Sequence, residues 1–153
     1  MISEKKISQW LDRGLIKRQK KSFDQIRNLL SRALRDIKTA EQNLAIDEEA
    51  VYTFAYLSML RAGRAIMLLS GYRPDDGGQH KTTVEFASLV LGEKYRTLTR
   101  RFDHMRRRRN LFTYDPVDNL TEKETLEALN TAKRFVQEII QWIKEKDPQL
   151  ELF

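Results

Sequence analysis

From Arg96 to Pro116 the chain reads R-T-L-T-R-R-F-D-H-M-R-R-R-R-N-L-F-T-Y-D-P. With Tyr95 just before it, Leu98, Phe102, Met105 and Phe112 recur at the spacing of a single helix face. The stretch is therefore expected to be an amphipathic helix packed on a core. Pro116 locks its own φ and disfavours the α region for Asp115, so the helix should stop near Tyr114. After Met105 the next position of the stripe is 109, and it holds Arg109 where an apolar side chain belongs. A guanidinium carried onto a packed face needs a partner for its five N–H donors, or a second surface close by.

The segments on either side have the same period. Upstream, Phe23, Ile26, Leu30, Ala33, Ile37, Ala40 and Leu44 form a long stripe that starts behind a Ser22/Gln25 capping pair. Asp47, Glu48 and Glu49 put acid at the start of a second helix, where the dipole favours it. Its stripe of Val51, Phe54, Ala55, Ser58, Ala62, Ala65, Ile66 and Leu69 is rich in small residues that let a neighbouring helix approach, and Gly71 is a natural stop. Gly71 to Gln79 is the one clear loop. Its Gly77-Gly78 lacks the lysine and hydroxyl residue of a phosphate loop. Thr82 with Glu85 is expected to cap a short helix closed by Gly92. Downstream, Thr121 with Glu124 opens a last helix carrying Leu126, Leu129, Ala132, Val136, Ile139 and Ile143, which Pro148 ends.

No segment shows a sustained strand period. The expected fold is all-α: an up-and-down bundle of four to five main helices with a short N-terminal helix. Residues 1–21 read as that helix (Ile7, Trp10, Leu11 and Leu15 on one side) and a basic connector of Lys17, Arg18, Lys20 and Lys21. Residues 22–147 read as the bundle. Residues 148–153 read as a tail whose Leu150, Leu152 and Phe153 either dock or fray.

At 153 residues one domain with a substantial core is expected. Without cysteine there is no disulfide and no thiolate chemistry. His80 and His104 are the only histidines, and Asp75-Asp76 and Glu48-Glu49 are adjacent pairs that do not share a helix face, so no metal site is expected. No cofactor motif is present. No apolar run is long enough for a membrane span, and the polar N-terminus has no leader character, so a cytoplasmic protein is expected. The net charge of +6 suits a polyanionic partner.

Arg106, Arg107, Arg108 and Arg109 place cations all round the helix, because each residue turns it by about 100°. The solvated members can meet phosphates, although cations at a helix C-terminus are also favoured by the dipole alone. Arg106, Asn110 and Tyr114 follow one another at four-residue steps, so arginine, amide and phenol line one edge beside Arg109.

The run Arg109-Asn110-Leu111-Phe112-Thr113-Tyr114 resembles the signature of the HEPN domains, small α-helical domains whose motif is an arginine, commonly a polar neighbour, and then a histidine. The helix order from Ser22 to Lys146, with His80 just after the glycine loop, is similar as well. The resemblance implies a homodimer in which two motifs meet. In active members that meeting makes a metal-independent RNA-cutting site. Here Tyr114 stands where the nearest allowed histidine would be, and no histidine follows Arg109. A phenol with a pKa of about 10 is a poor base at neutral pH. Members lacking the histidine resemble non-catalytic modules paired with a nucleotidyltransferase protein in toxin–antitoxin-like systems.

The expected function is accordingly a dimeric, non-catalytic RNA- or nucleotide-binding module. Phosphate contact is expected from Arg100, Arg106, Arg107, Arg108, Arg109 and His80, with Arg109, Asn110 and Tyr114 at the motif. Two alternatives stand beside it. One is a metal-independent endoribonuclease in which Tyr114 or His104 supplies a proton. The other is a protein-interaction module with no nucleic-acid role.

Overall fold

The computed structural model describes residues 4–75, 79–115 and 119–152. Six helices account for most of them: α1 (Glu4–Asp12), α2 (Phe23–Gln42), α3 (Glu48–Leu69), α4 (Gln79–Leu91), α5 (Arg96–Tyr114) and α6 (Glu122–Lys146). The fold is the expected all-α bundle with a short N-terminal helix. Pro116, Gly77, Gly78, Asp76 and Phe153, which the sequence reading used, lie outside the described residues.

α3 is the axis. It packs most extensively on α2 and α6, with α4 and α5 on its remaining side. That central place explains its composition: Val51, Tyr52, Ala55, Tyr56, Met59, Leu60, Ala62, Ala65, Ile66 and Met67 are all buried, on more than one face. Gly63 marks the closest approach. A Cβ there would lie 2.8 Å from Cγ2 of Thr83 on α4 and 3.4 Å from the Phe102 ring on α5. The stripe of α5 (Tyr95, Leu98, Phe102, Met105 and Phe112) is buried throughout, with Phe102 stacked at a tilt between Tyr56 and Phe135.

The caps follow the sequence closely. Ser22 Oγ accepts from the Gln25 amide, Asp47 accepts from the amides of Glu49 and Ala50, and Thr121 with Glu124 forms a complete capping box. Gly71 and Gly92 take the positive φ that ends α3 and α4. One cap is displaced. α4 starts at Gln79 rather than behind Thr82, which is buried one turn inside it. The Thr-x-x-Glu pattern is satisfied inside a helix as readily as at its start, so only the backbone path separates the two.

Two elements differ from the sequence reading. Ile16–Arg18 is a strand, β1, not part of a connector; it pairs antiparallel with β2, Tyr72–Pro74, with Lys17 opposite Arg73. Three residues are too few to show a period of two, and the partner lies far away in sequence. The ribbon pins the N-terminal region to the loop after α3, and Trp10 of α1 stacks on Phe86 of α4 at 5.7 Å. At the other end Leu150 and Leu152 are buried, so the tail docks on its own chain. Among the described residues no helix is long and apolar enough to cross a membrane.

Candidate functional site

The polar centre of the molecule lies where the middle of α3, the first turn of α4 and the last turns of α5 meet. Tyr56 on α3 is fully buried, and its hydroxyl lies 2.9 Å from Nδ1 of His80. The guanidinium carbon of Arg109 sits 5.9 Å from the centroid of the Tyr56 ring, a cation–π distance. Arg64, two turns along α3 from Tyr56, points Nη2 toward Oε1 of Gln79 at 3.4 Å. The Nε atoms of both Arg64 and Arg109 are buried with no hydrogen-bond acceptor among the described residues. Arg109 is therefore drawn in, as the α5 stripe requires, and finds an aromatic face there but no carboxylate.

The charges reinforce one another. Burial, then Arg109, Arg64 and Arg106, hold the His80 imidazolium below its usual pKa, so the ring is neutral at pH 7. Burial holds the Tyr56 phenol well above its ordinary value, and the same three arginines only partly offset it. Burial, then Arg61, lowers the pKa of Arg64. Arg61 itself lies 2.7 Å from Asp36 through Nε and Oδ2, a contact of opposite charges without hydrogen-bond alignment. The Tyr56 hydroxyl and Nδ1 of the neutral His80 ring share one hydrogen bond, whose direction follows the imidazole tautomer. The cluster is rich in donors, and the carboxylate whose charge reaches it is that of Asp103, already paired with Arg106.

The arginine run divides by direction. Arg106 reaches back to Asp103 through Nε and Nη2 at 3.1 and 3.0 Å, and exposed Arg107 takes the other oxygen of Asp103 at 3.0 Å. Arg108 points away from the cluster: Nε lies 2.7 Å from Oε2 of Glu124, and Nη2 donates to the carbonyl of Asn119 at 3.0 Å. That pairing holds the Glu124 carboxyl below its usual pKa. Asn110 and Tyr114 are exposed, Tyr114 at 84 %, and Arg100 is exposed further up α5. His104 is also exposed and lines a separate cleft of about 390 Å³ with Tyr52, Arg101 and Arg134. Of the residues picked out in sequence, Arg109 and His80 come together, with Arg106 at their edge.

The family model for the HEPN domain matches residues 26–146. The chain belongs to the HEPN domain family. A comparison with curated proteins returns no match. The matched span holds every member of the Tyr56–His80–Arg109 cluster and leaves α1 and β1 outside. HEPN domains are nucleotide- and RNA-related modules and are commonly dimeric. Among the described residues of this HEPN domain, no three His, Asp or Glu side chains gather as a metal site would need.

Tyr56 and Arg64 were missed in the sequence. Arg64 had a signal: after its first turn α3 carries no charge except Arg61 and Arg64, and a guanidinium inside A-G-R-A-I-M-L-L asks for a partner. Tyr56 had none, since a tyrosine on an apolar helix reads as core.

Proposed function

We propose that this HEPN domain is a non-catalytic module that binds RNA or a nucleotide, holding one phosphate between Arg109, Arg64 and His80 above the ring of Tyr56. One observation carries the reading: two guanidinium groups keep buried donors without an acceptor among the described residues, beside a neutral histidine. Phosphate oxygens would supply the missing acceptors through short charge-assisted bonds. No histidine follows Arg109 in the sequence to serve as the motif's general base, which favours binding over cutting.

In this reading two copies meet along the exposed end of α5. Leu111 is 57 % exposed and Tyr114 84 %, both on the helix that carries Arg109. A two-fold contact there would bring both phosphate sites and both Asn110 side chains to one cleft. A nucleotidyltransferase-type protein in a toxin–antitoxin-like system is the proposed partner.

The test is fluorescence anisotropy with labelled single-stranded RNA in EDTA, followed by gel analysis of the same RNA. Binding should weaken steeply with salt, Arg109→Met should lower affinity at least tenfold, and the RNA should remain intact. Metal-free cleavage by the wild type, lost in Arg109→Met, would replace this reading with the endoribonuclease one. Absence of any RNA or nucleotide binding would leave only the protein-interaction reading.

A further inference from the structure

A second, wide cleft lies outside the phosphate site. It has a volume of about 750 Å³ and runs between α4 and α5, with α1 as its third wall. Its cations are Lys6, Lys81, Arg96, Arg100, Arg106 and Arg107. Three carboxylates face them, and each is already engaged: Glu85 with Lys81, Glu93 with Arg96, and Asp103 with both Arg106 and Arg107. Arg100 makes no ion pair or hydrogen bond among the described residues. The cleft is therefore strongly positive after its internal pairs are formed.

Its shape is as informative as its charge. Arg96, Arg100 and Arg107 share one line of α5, because steps of four and seven residues return to the same face. At 1.5 Å per residue the line is about 16 Å long. Trp10, Val84 and Thr99, all buried, belong to its lining. A single line of cations follows one flexible backbone, the unpaired form in which RNA bases are free to splay onto a protein surface. Arg106 lines the cleft on the helix that carries Arg109, which lies on the other side of α5 from Arg100. Lys6 and Trp10 precede residue 26, so this wall lies outside the matched HEPN span.

We infer that the α1–α4–α5 cleft is a track for single-stranded RNA, which holds a strand along Arg96, Arg100 and Arg107 in addition to the phosphate site at Arg109. The inference rests on the binding reading above and adds a strand path along α5 and a role for α1. Longer strands should therefore bind more tightly than a dinucleotide, and duplex RNA should bind less tightly than a single strand of equal length.

The experiment measures anisotropy of a labelled dinucleotide, a single-stranded 12-mer and a 12-bp RNA duplex on wild type, Arg100→Glu, Arg101→Glu and Arg109→Met. Arg101 is the control: it is on the same helix but lines the other cleft. Arg100→Glu should weaken the 12-mer about tenfold and lower its salt slope by about 0.7 or more, one single-strand phosphate contact. It should leave the dinucleotide within about twofold of wild type. Arg101→Glu should change neither. If wild type binds, Arg109→Met weakens it, and Arg100→Glu matches Arg101→Glu, the track is wrong while the phosphate site stands. If no RNA binds wild type, both fail. Equal competition by polyglutamate of matched charge would make the cleft a surface for acidic protein and overturn the track.

Discussion

Replacing Arg109 by methionine should make the protein more stable and less able to bind. Methionine keeps a flexible stem of similar length and removes the guanidinium. The buried Nε of Arg109 has no acceptor among the described residues, and an unsatisfied buried donor costs about 1–3 kcal/mol. The substitution also loses the contact between the guanidinium and the Tyr56 ring at 5.9 Å, about 0.5–1 kcal/mol. The difference is a net gain of about 0–2.5 kcal/mol. For a domain of this size each kcal/mol moves Tm by about 2–4 °C, so a rise of about 3 °C is expected. Urea denaturation followed by circular dichroism gives the same quantity at constant temperature. Adding RNA at about 100 times Kd should stabilise wild type by about 2.7 kcal/mol, and Arg109→Met hardly at all. This pairing of stability gained with binding lost is what a site held under electrostatic strain predicts. A variant at least 1 kcal/mol less stable than wild type would show that Arg109 holds the fold together, and the site argument would collapse.

Arg108→Ala should behave in the opposite way. Arg108 joins α5 to Glu124 and the Asn119 carbonyl, so its loss should cost about 1–3 kcal/mol in urea with RNA affinity within about twofold of wild type. A large affinity loss without destabilisation would place Arg108 at the ligand instead. RNA binding should also tighten as pH falls. The pKa of free His80 lies below that of an ordinary histidine, first through burial, and a bound phosphodiester offsets Arg109, Arg64 and Arg106 and raises it. Binding then takes up a proton, and the gain levels off below the free-state pKa. His80→Gln should flatten that dependence, measured between pH 8 and 5.5 by anisotropy. For stability the sign is reversed: without RNA, the unfolded chain gains the His80 proton first, so the contribution of His80 declines as pH falls below about 6.5. Gly63→Ala should destabilise by about 1–3 kcal/mol, because the new Cβ would meet Thr83, whose hydroxyl is bonded to the Gln79 carbonyl at 2.7 Å and cannot turn away freely. A neutral thermal shift would mean that α3 and α4 separate more easily than their packing suggests.

Local sequence was sufficient wherever the physics is local. Helical periodicity, the caps at Ser22, Asp47 and Thr121, and the stops at Gly71 and Gly92 are encoded within a few residues of where they act. The inward register of Arg109 belongs to the same class, since the stripe of its own helix dictates it. Tertiary structure decided what that register meets. Tyr56 and Arg64 come from α3 and His80 from α4, each far from Arg109 in sequence, and no local pattern could say that a core tyrosine would hold the histidine. The same limit hid the β1–β2 ribbon, the docking of Leu150 and Leu152, and the commitment of Arg108 to Glu124. The four arginines from 106 to 109 are chemically identical, and only the helices packed around α5 separate the one that faces Tyr56 from those paired with carboxylates.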